Sequence, residues 1–393
     1  MERTASKHAA PEARTLTRRR LLAAALPAFA VAALGPAAAA PAARQRLATA
    51  WRGTAADAQA ADGPAAADHV GIIEIDWDAP RLRIAAAQPV PARAHGLVAL
   101  ADGGFAAVAF RPGRWLLRCD GAGGVVQRID IEDEQPRRTF NGHIECSADG
   151  RWLYTTETDP ADSSGWIGVR DARSLRRVAQ FGSGGVDPHQ LLRARDGALV
   201  VANGGILRDA AGRGVELARM DPTLALVAPE AGRLLGQWRL ADPRLGLRHV
   251  AWSDDGERTL LGIGLQAEHE RADARRDAPA LALWDGRSLT LPCADASAAG
   301  YVGDITSAPG GGFVLSAQKA GRSLWWSPAA PERLTRVADL AEPCALTREP
   351  DSGAVLIGAG RGIARWRADA GGQMLRWPLP MAQDHHAVLL GAA

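Results

Sequence analysis

Histidine recurs at one position of a repeated unit in this chain, and imidazole both binds transition metals and moves protons near neutral pH. His95, His143, His189 and His249 each open a short apolar run that leads to an Asp-Gly pair and a second apolar run. Residues 143–150 read His-Ile-Glu-Cys-Ser-Ala-Asp-Gly, and residues 249–256 read His-Val-Ala-Trp-Ser-Asp-Asp-Gly. His386 opens the last such run, with His385 competing beside it; two further units keep the frame but begin with Asp304 and Cys344. Imidazole suits iron, copper, zinc or nickel, and a carboxylate or thiolate could supplement it. A metal–nitrogen bond is about 2.0–2.1 Å, so only a subset of two to four of these residues, drawn from His95, His143, His189 and His249, could share one ion. The set could equally hold an anion, the edge of a haem or a partner's side chain. It could also serve structure alone, each histidine bonding a neighbouring repeat and channel water. Neutral histidine with a pKa of about 6.5 would suit general-base work as well.

The elements that must position these residues are short strands. Asp-Gly between alternating apolar runs marks a tight hairpin, because the turn needs a positive φ that Gly supplies cheaply. From His95 onward the units are spaced by 48, 46, 60, 55, 40 and 42 residues. Periods near 40–50 with four strands each mean propeller blades. The last unit stops after one strand, and residues 45–51, 69–77 and 81–87 supply the three it lacks. The expected fold is therefore an all-β, seven-bladed propeller, closed by pairing the C-terminal strand with N-terminal strands, which removes exposed edges. The first strand of a blade lines the channel, so the histidines should share one rim. Long loops expected at 52–68, 158–165, 204–214 and 266–279 lie on that face, where a rigid scaffold positions binding groups. Glu157, Asn203 and Gln318, near the ends of second strands, reach the same face just outside the ring. His69 and His269 fall outside the frame. The 12 tryptophans recur on second, third and outer strands, where they would pack blade against blade.

Residues 1–42 read as an address and not as fold. Thr17-Arg18-Arg19-Arg20-Leu21-Leu22 precedes an apolar run over 21–34, followed by small residues with A-x-A cleavage frames. This is the order of a twin-arginine signal peptide, and the run is too short for a comfortable membrane span. The expected location is the periplasm, with one domain over 43–393 and no stable membrane span after cleavage. The whole chain has 46 basic and 44 acidic residues; setting aside the six basic and two acidic residues of 1–42 leaves 40 and 42, a formal charge of −2. No nucleic-acid footprint remains. Cys119, Cys146, Cys293 and Cys344 form no C-x-x-C and could make up to two disulfides or stay free. There is no G-x-S-x-G elbow, P-loop or C-x-x-C-H haem attachment.

Several segments carry a resemblance: Arg93-Ala94-His95-Gly96, Asn141-Gly142-His143, Leu153-Tyr154-Thr155-Thr156-Glu157, Asp187-Pro188-His189, Ala202-Asn203-Gly204-Gly205-Ile206 and Leu247-Arg248-His249. Together they resemble a family of twin-arginine-exported bacterial proteins classed as domain of unknown function 1513. Members are often encoded beside imelysin-type iron-uptake proteins and a di-haem peroxidase-like protein. The resemblance implies a propeller with a periplasmic role in iron acquisition. At the C-terminus, Gln383-Asp384-His385-His386 stands where the family has a Trp-Asp-Asn-His-like segment. The leading expectation is a non-enzymatic accessory that binds iron, copper, non-covalent haem or an iron-uptake partner on its histidine-lined face. Two alternatives stand beside it: a propeller oxidoreductase or lyase using the histidines as bases or metal ligands, and a protein-docking platform with structural histidines.

Overall fold

The structure, a computed structural model, describes residues 44–53 and 67–391. The 1–42 segment and most of the 52–68 loop lie outside the described residues. The described chain forms seven four-stranded antiparallel sheets arranged as a seven-bladed propeller. Six blades are continuous in sequence and are numbered here in chain order from the one that begins at Ala94. The seventh is composite: Met381–Leu390 is its inner strand, followed outward by Arg44–Gly53, Ala67–Asp76 and Arg81–Val90. Arg46 pairs with Leu390, and the ladder runs on to Gly53 opposite Met381, so the two ends of the fold close the ring.

Strand position within a blade follows from burial. Second strands such as Phe105–Ala109, Leu199–Asn203 and Val355–Ala359 are buried at every residue. They are sandwiched between neighbouring blades on both faces, which is why they read as unbroken apolar runs. Fourth strands such as Val125–Asp130 and Gly371–Arg376 are largely exposed. The hairpins expected from Asp-Gly pairs are present: Gly103 and Gly197 take φ of 83° and 90°. Asp102 and Asp196 accept from backbone N–H two residues on, at 3.1 Å each.

The core has no single centre. Seven apolar clusters each draw on two adjacent blades, one cluster per blade–blade contact. Tryptophans bridge several contacts, with ring centroids 4.8 Å apart for Trp238–Trp284 and 5.6 Å for Trp325–Trp366. All four cysteines are free, and burial pushes the Cys119 and Cys344 thiols up to about 12. No helix among the described residues is long and apolar enough to cross a membrane.

The loops differ from expectation in one place. Residues 158–165 hold only a four-residue turn, 160–163, between Trp152–Asp159 and Ser164–Asp171. The 204–214 segment begins an insertion that folds as a small hairpin, Leu207–Arg208 with Gly214–Val215. The 266–279 segment carries the short helix Ala272–Arg276.

Candidate functional site

Each of the five repeat histidines sits where the ladder between inner and second strand is broken. The register shifts between Ala94 and Leu97, Phe140 and Ile144, Pro188 and Leu191, and Leu247 and Val250, skipping His95, His143, His189 and His249 in turn. In the closing blade it shifts across residues 384–386. Such a break frees the chain from its pleat and re-aims side chains, here toward the axis. The inner strands of the fifth and sixth blades, Asp304–Ala308 and Leu346–Arg348, pair without a break and bear no histidine. Some freed backbone groups find partners: Thr49 Oγ1 donates to the His386 carbonyl at 3.0 Å. Gly142 adopts φ +99°, and a Cβ there would stand 2.9 Å from the His95 ring. Gly142 thus seats the neighbouring histidine.

The result is one tight cluster. Ring centroids lie 4.8 Å apart for His95–His143, 4.4 Å for His143–His189 and 4.5 Å for His189–His249. His386 stands 4.7–4.8 Å from the rings of His95, His143 and His249. His95, His143, His189 and His249 are 0–3% exposed. One ring nitrogen from each of these four lies within 4.8 Å of every other. Ligand nitrogens around a tetrahedral ion with bonds of 2.0–2.1 Å are about 3.3 Å apart, so small adjustments would seat an ion. Centroids this close leave no slot for a porphyrin between the imidazoles.

Hydrogen-bond partners sort the nitrogens. His95 Nδ1 donates to Asp384 at 3.1 Å, and its Nε2 is buried without a partner. A carboxylate on one nitrogen and a free lone pair on the other is the arrangement that orients metal-binding histidines. His386 Nδ1 faces Asp304 at 3.4 Å, and its Nε2 is likewise unpartnered. His189 is different. Arg111 donates to its Nδ1 at 3.2 Å, which places the proton of the neutral ring on Nε2. That single Nε2 lies 3.2 Å from His143 Nε2 and 2.9 Å from His249 Nε2. One proton can fill only one of these contacts; the other sets nitrogen against nitrogen with nothing between them. A cation placed among them would relieve this.

Burial, ahead of every other cause, holds the pKa values of His95, His143, His189 and His249 well below the ordinary histidine value. These four imidazoles are therefore neutral at pH 7, with lone pairs available. Asp384 is buried, which opposes its charge. The His95 bond and the Arg93 guanidinium outweigh that and keep its carboxyl far below the usual range.

The other sequence-predicted residues divide. Asp304 joins the site indirectly: it faces His386 while accepting from the backbone N–H of Ile305 and, in the next blade, of Leu346. Gln318 meets His385, the alternative to His386, at 3.0 Å. His385, with Asp384, completes a second small group of donors around His95. Glu157 is not brought to the cluster. Fully buried, it pairs with Arg170 at 3.0 Å and accepts from Thr155 Oγ1 inside the second blade. Asn203 is also fully buried and spends its amide on Ser183 and Thr223. Cys344 precedes its blade's inner strand and stays outside the cluster. His69 stacks on Trp51, and His269 pairs with Asp242 in a loop.

Sequence reasoning missed the arginines. Arg111, Arg208 and Arg248 converge beside the cluster, around Asp187. They come from a loop of the first blade, the insertion of the third and the inner strand of the fourth, so no local pattern links them. The one signal was Arg248 next to His249.

Comparison with solved structures agrees on the fold. Virginiamycin B lyase from Staphylococcus aureus superposes with a TM-score of 0.51 at 11% identity, covering 73% of this chain and 85% of that one. Hydrazine synthase from Kuenenia stuttgartiensis superposes at 0.54 and 12%, covering 80% and 93%. At these identities the likeness is one of fold alone. No curated relative matches the chain in sequence. Residues 88–390, which hold all five clustered histidines and six of the seven blades, match the family described as Protein of unknown function (DUF1513), and the chain belongs to that family.

Proposed function

We propose that this protein is a periplasmic, non-enzymatic propeller that holds one first-row transition-metal ion in its axial histidine cluster and serves iron acquisition as an accessory. The observation that carries the reading is His189 Nε2, pressed between His143 Nε2 and His249 Nε2 at 3.2 and 2.9 Å with one proton for two contacts. His95 supports it, with a carboxylate on Nδ1 and a buried, unpartnered Nε2. An ion would draw on the lone pairs of His95, His143 and His249, and on His189 once its Nε2 proton leaves. Nitrogen-rich ligation suits iron, copper or zinc over magnesium or calcium. Iron is the choice that fits the setting implied by the family resemblance, and the twin-arginine segment supports the periplasm.

The test is elemental analysis with an absorbance spectrum on protein purified without chelator or affinity-tag metal. About one equivalent of iron, copper or zinc is expected, absent from a His143→Ala/His189→Ala double variant that remains folded. A metal-free protein that takes up none of these ions on titration would refute the reading, and a Soret band would replace the ion with haem.

A further inference from the structure

Beside the histidine cluster, on the same face, lies a cavity of about 440 Å³ whose charges do not balance. Arg208 grips Asp187 with two bonds, 2.7 and 2.9 Å long, and Arg111 gives the same carboxylate a third at 3.1 Å. Asp187 is 1% exposed, so its charge is committed to these two guanidiniums. Arg248 also lines the cavity. It is only 5% exposed, it enters no ion pair among the described residues, and its Nε is buried without a hydrogen-bond partner. Glu268 is the acidic residue of the lining. Three cations against Asp187 and Glu268 leave one positive charge uncompensated. A buried, unpaired guanidinium is costly unless an anion completes it. The rest of the wall includes Phe110, Ile206, Leu217 and Tyr301, which offer apolar and aromatic surface. The floor touches the cluster directly, through Arg111 on His189 and through Phe110, whose ring centroid is 5.2 Å from that of His95.

We propose that this cavity binds a small organic monocarboxylate, its carboxylate held by Arg248 and its body lying against Phe110, Ile206 and Leu217 above the histidines. One surplus positive charge matches one carboxylate. The planar guanidinium fork binds that group with two parallel bonds. The volume suits a small-molecule ligand. This site stands on the arginines and the cavity, so it does not depend on a metal in the cluster.

Calorimetric titration of chelator-stripped protein with benzoate tests it, with benzamide as the neutral isostere and inorganic phosphate as the competing oxyanion. Benzoate should bind at least ten-fold more tightly than benzamide and more tightly than phosphate. Arg248→Met should weaken benzoate at least ten-fold and leave benzamide unchanged. Its melting temperature should equal or exceed that of the parent, because an unpaired buried charge has gone. Arg248→Lys, which keeps the charge without the fork, should fall between. Equal binding of benzoate and benzamide, tighter binding of phosphate, or a folded Arg248→Met variant with undiminished affinity would overturn the proposal.

Discussion

His189 Nε2 receives two imidazole neighbours, and the Arg111 guanidinium on its Nδ1 prevents it from moving its proton out of their way. If His189 is to become a ligand through Nε2, that proton must pass to solvent and leave the ring an imidazolate, its charge met by the metal and by Arg111 on Nδ1. Uptake should therefore acidify a weakly buffered solution. A pH indicator during metal titration would record it, and Arg111→Leu should reduce the release by freeing Nδ1 to hold the proton. Asp384→Asn removes the carboxylate from His95 Nδ1 and should weaken metal binding about 10–100-fold, read by competition with a chromophoric chelator. The same histidines make stability depend on acid. Burial lowers the folded-state pKa of His95, His143, His189 and His249, so below about pH 6.5 these four bind more protons in the unfolded chain than in the folded one. Urea unfolding should show stability falling from pH 7.5 to 5.5. Glu145 acts in the opposite sense. Burial raises its pKa to about 7, so its contribution is present at low pH and is lost as pH rises through 7. Glu145→Gln should therefore stabilise the protein at pH 8 by about 1 kcal/mol and have little effect at pH 4.

Propeller strands are usually described by their regular pairing, yet here the irregular stretches position the chemistry. Histidine and broken ladder go together in five blades; the inner strands of the fifth and sixth pair without a break and bear no histidine. Gly142 is the clearest dependency, since it combines a positive φ with direct contact on His95. Gly142→Ala should destabilise the fold by about 1–3 kcal/mol and impair metal binding together, measured by denaturant melts and metal titration. The repeat of His, apolar run and Asp-Gly made the strands, their order and the histidine rim legible in the sequence. The breaks were not legible, because register depends on which residues of two strands face each other and neither strand carries that alone. The same limit explains Glu157 and Asn203. Both read as polar residues near the ends of second strands, and only the fold reveals that Arg170 and Ser183 already occupy them. Arg111 lies in a loop and Arg208 in the small hairpin of an insertion, almost a hundred residues apart in the chain, so convergence on Asp187 had no sequence signature at all.

At the scale of the molecule, stability is distributed around a closed circle of seven interfaces, and the composite blade contributes to two of them through separate clusters. Removing Met381–Leu390 would strip Arg44–Gly53 of its inner partner, expose an apolar edge and delete His386 from the axis. A chain ending at residue 380 should aggregate or elute as an expanded species on size exclusion, with near-UV circular dichroism lost. Counting blades was within reach of the sequence because the repeat is regular; the composite seventh was legible as a deficit of three strands at one end and a surplus of three at the other. Its antiparallel register has a mechanical consequence. Arg46 lies opposite Leu390, so the two chain ends leave the ring at the same end of one ladder. Tension applied between the termini would load those backbone bonds one after another, as a zipper is loaded, and never all at once in shear. A scaffold whose packing is spread around its whole circumference would thus yield to a small pull at a single seam.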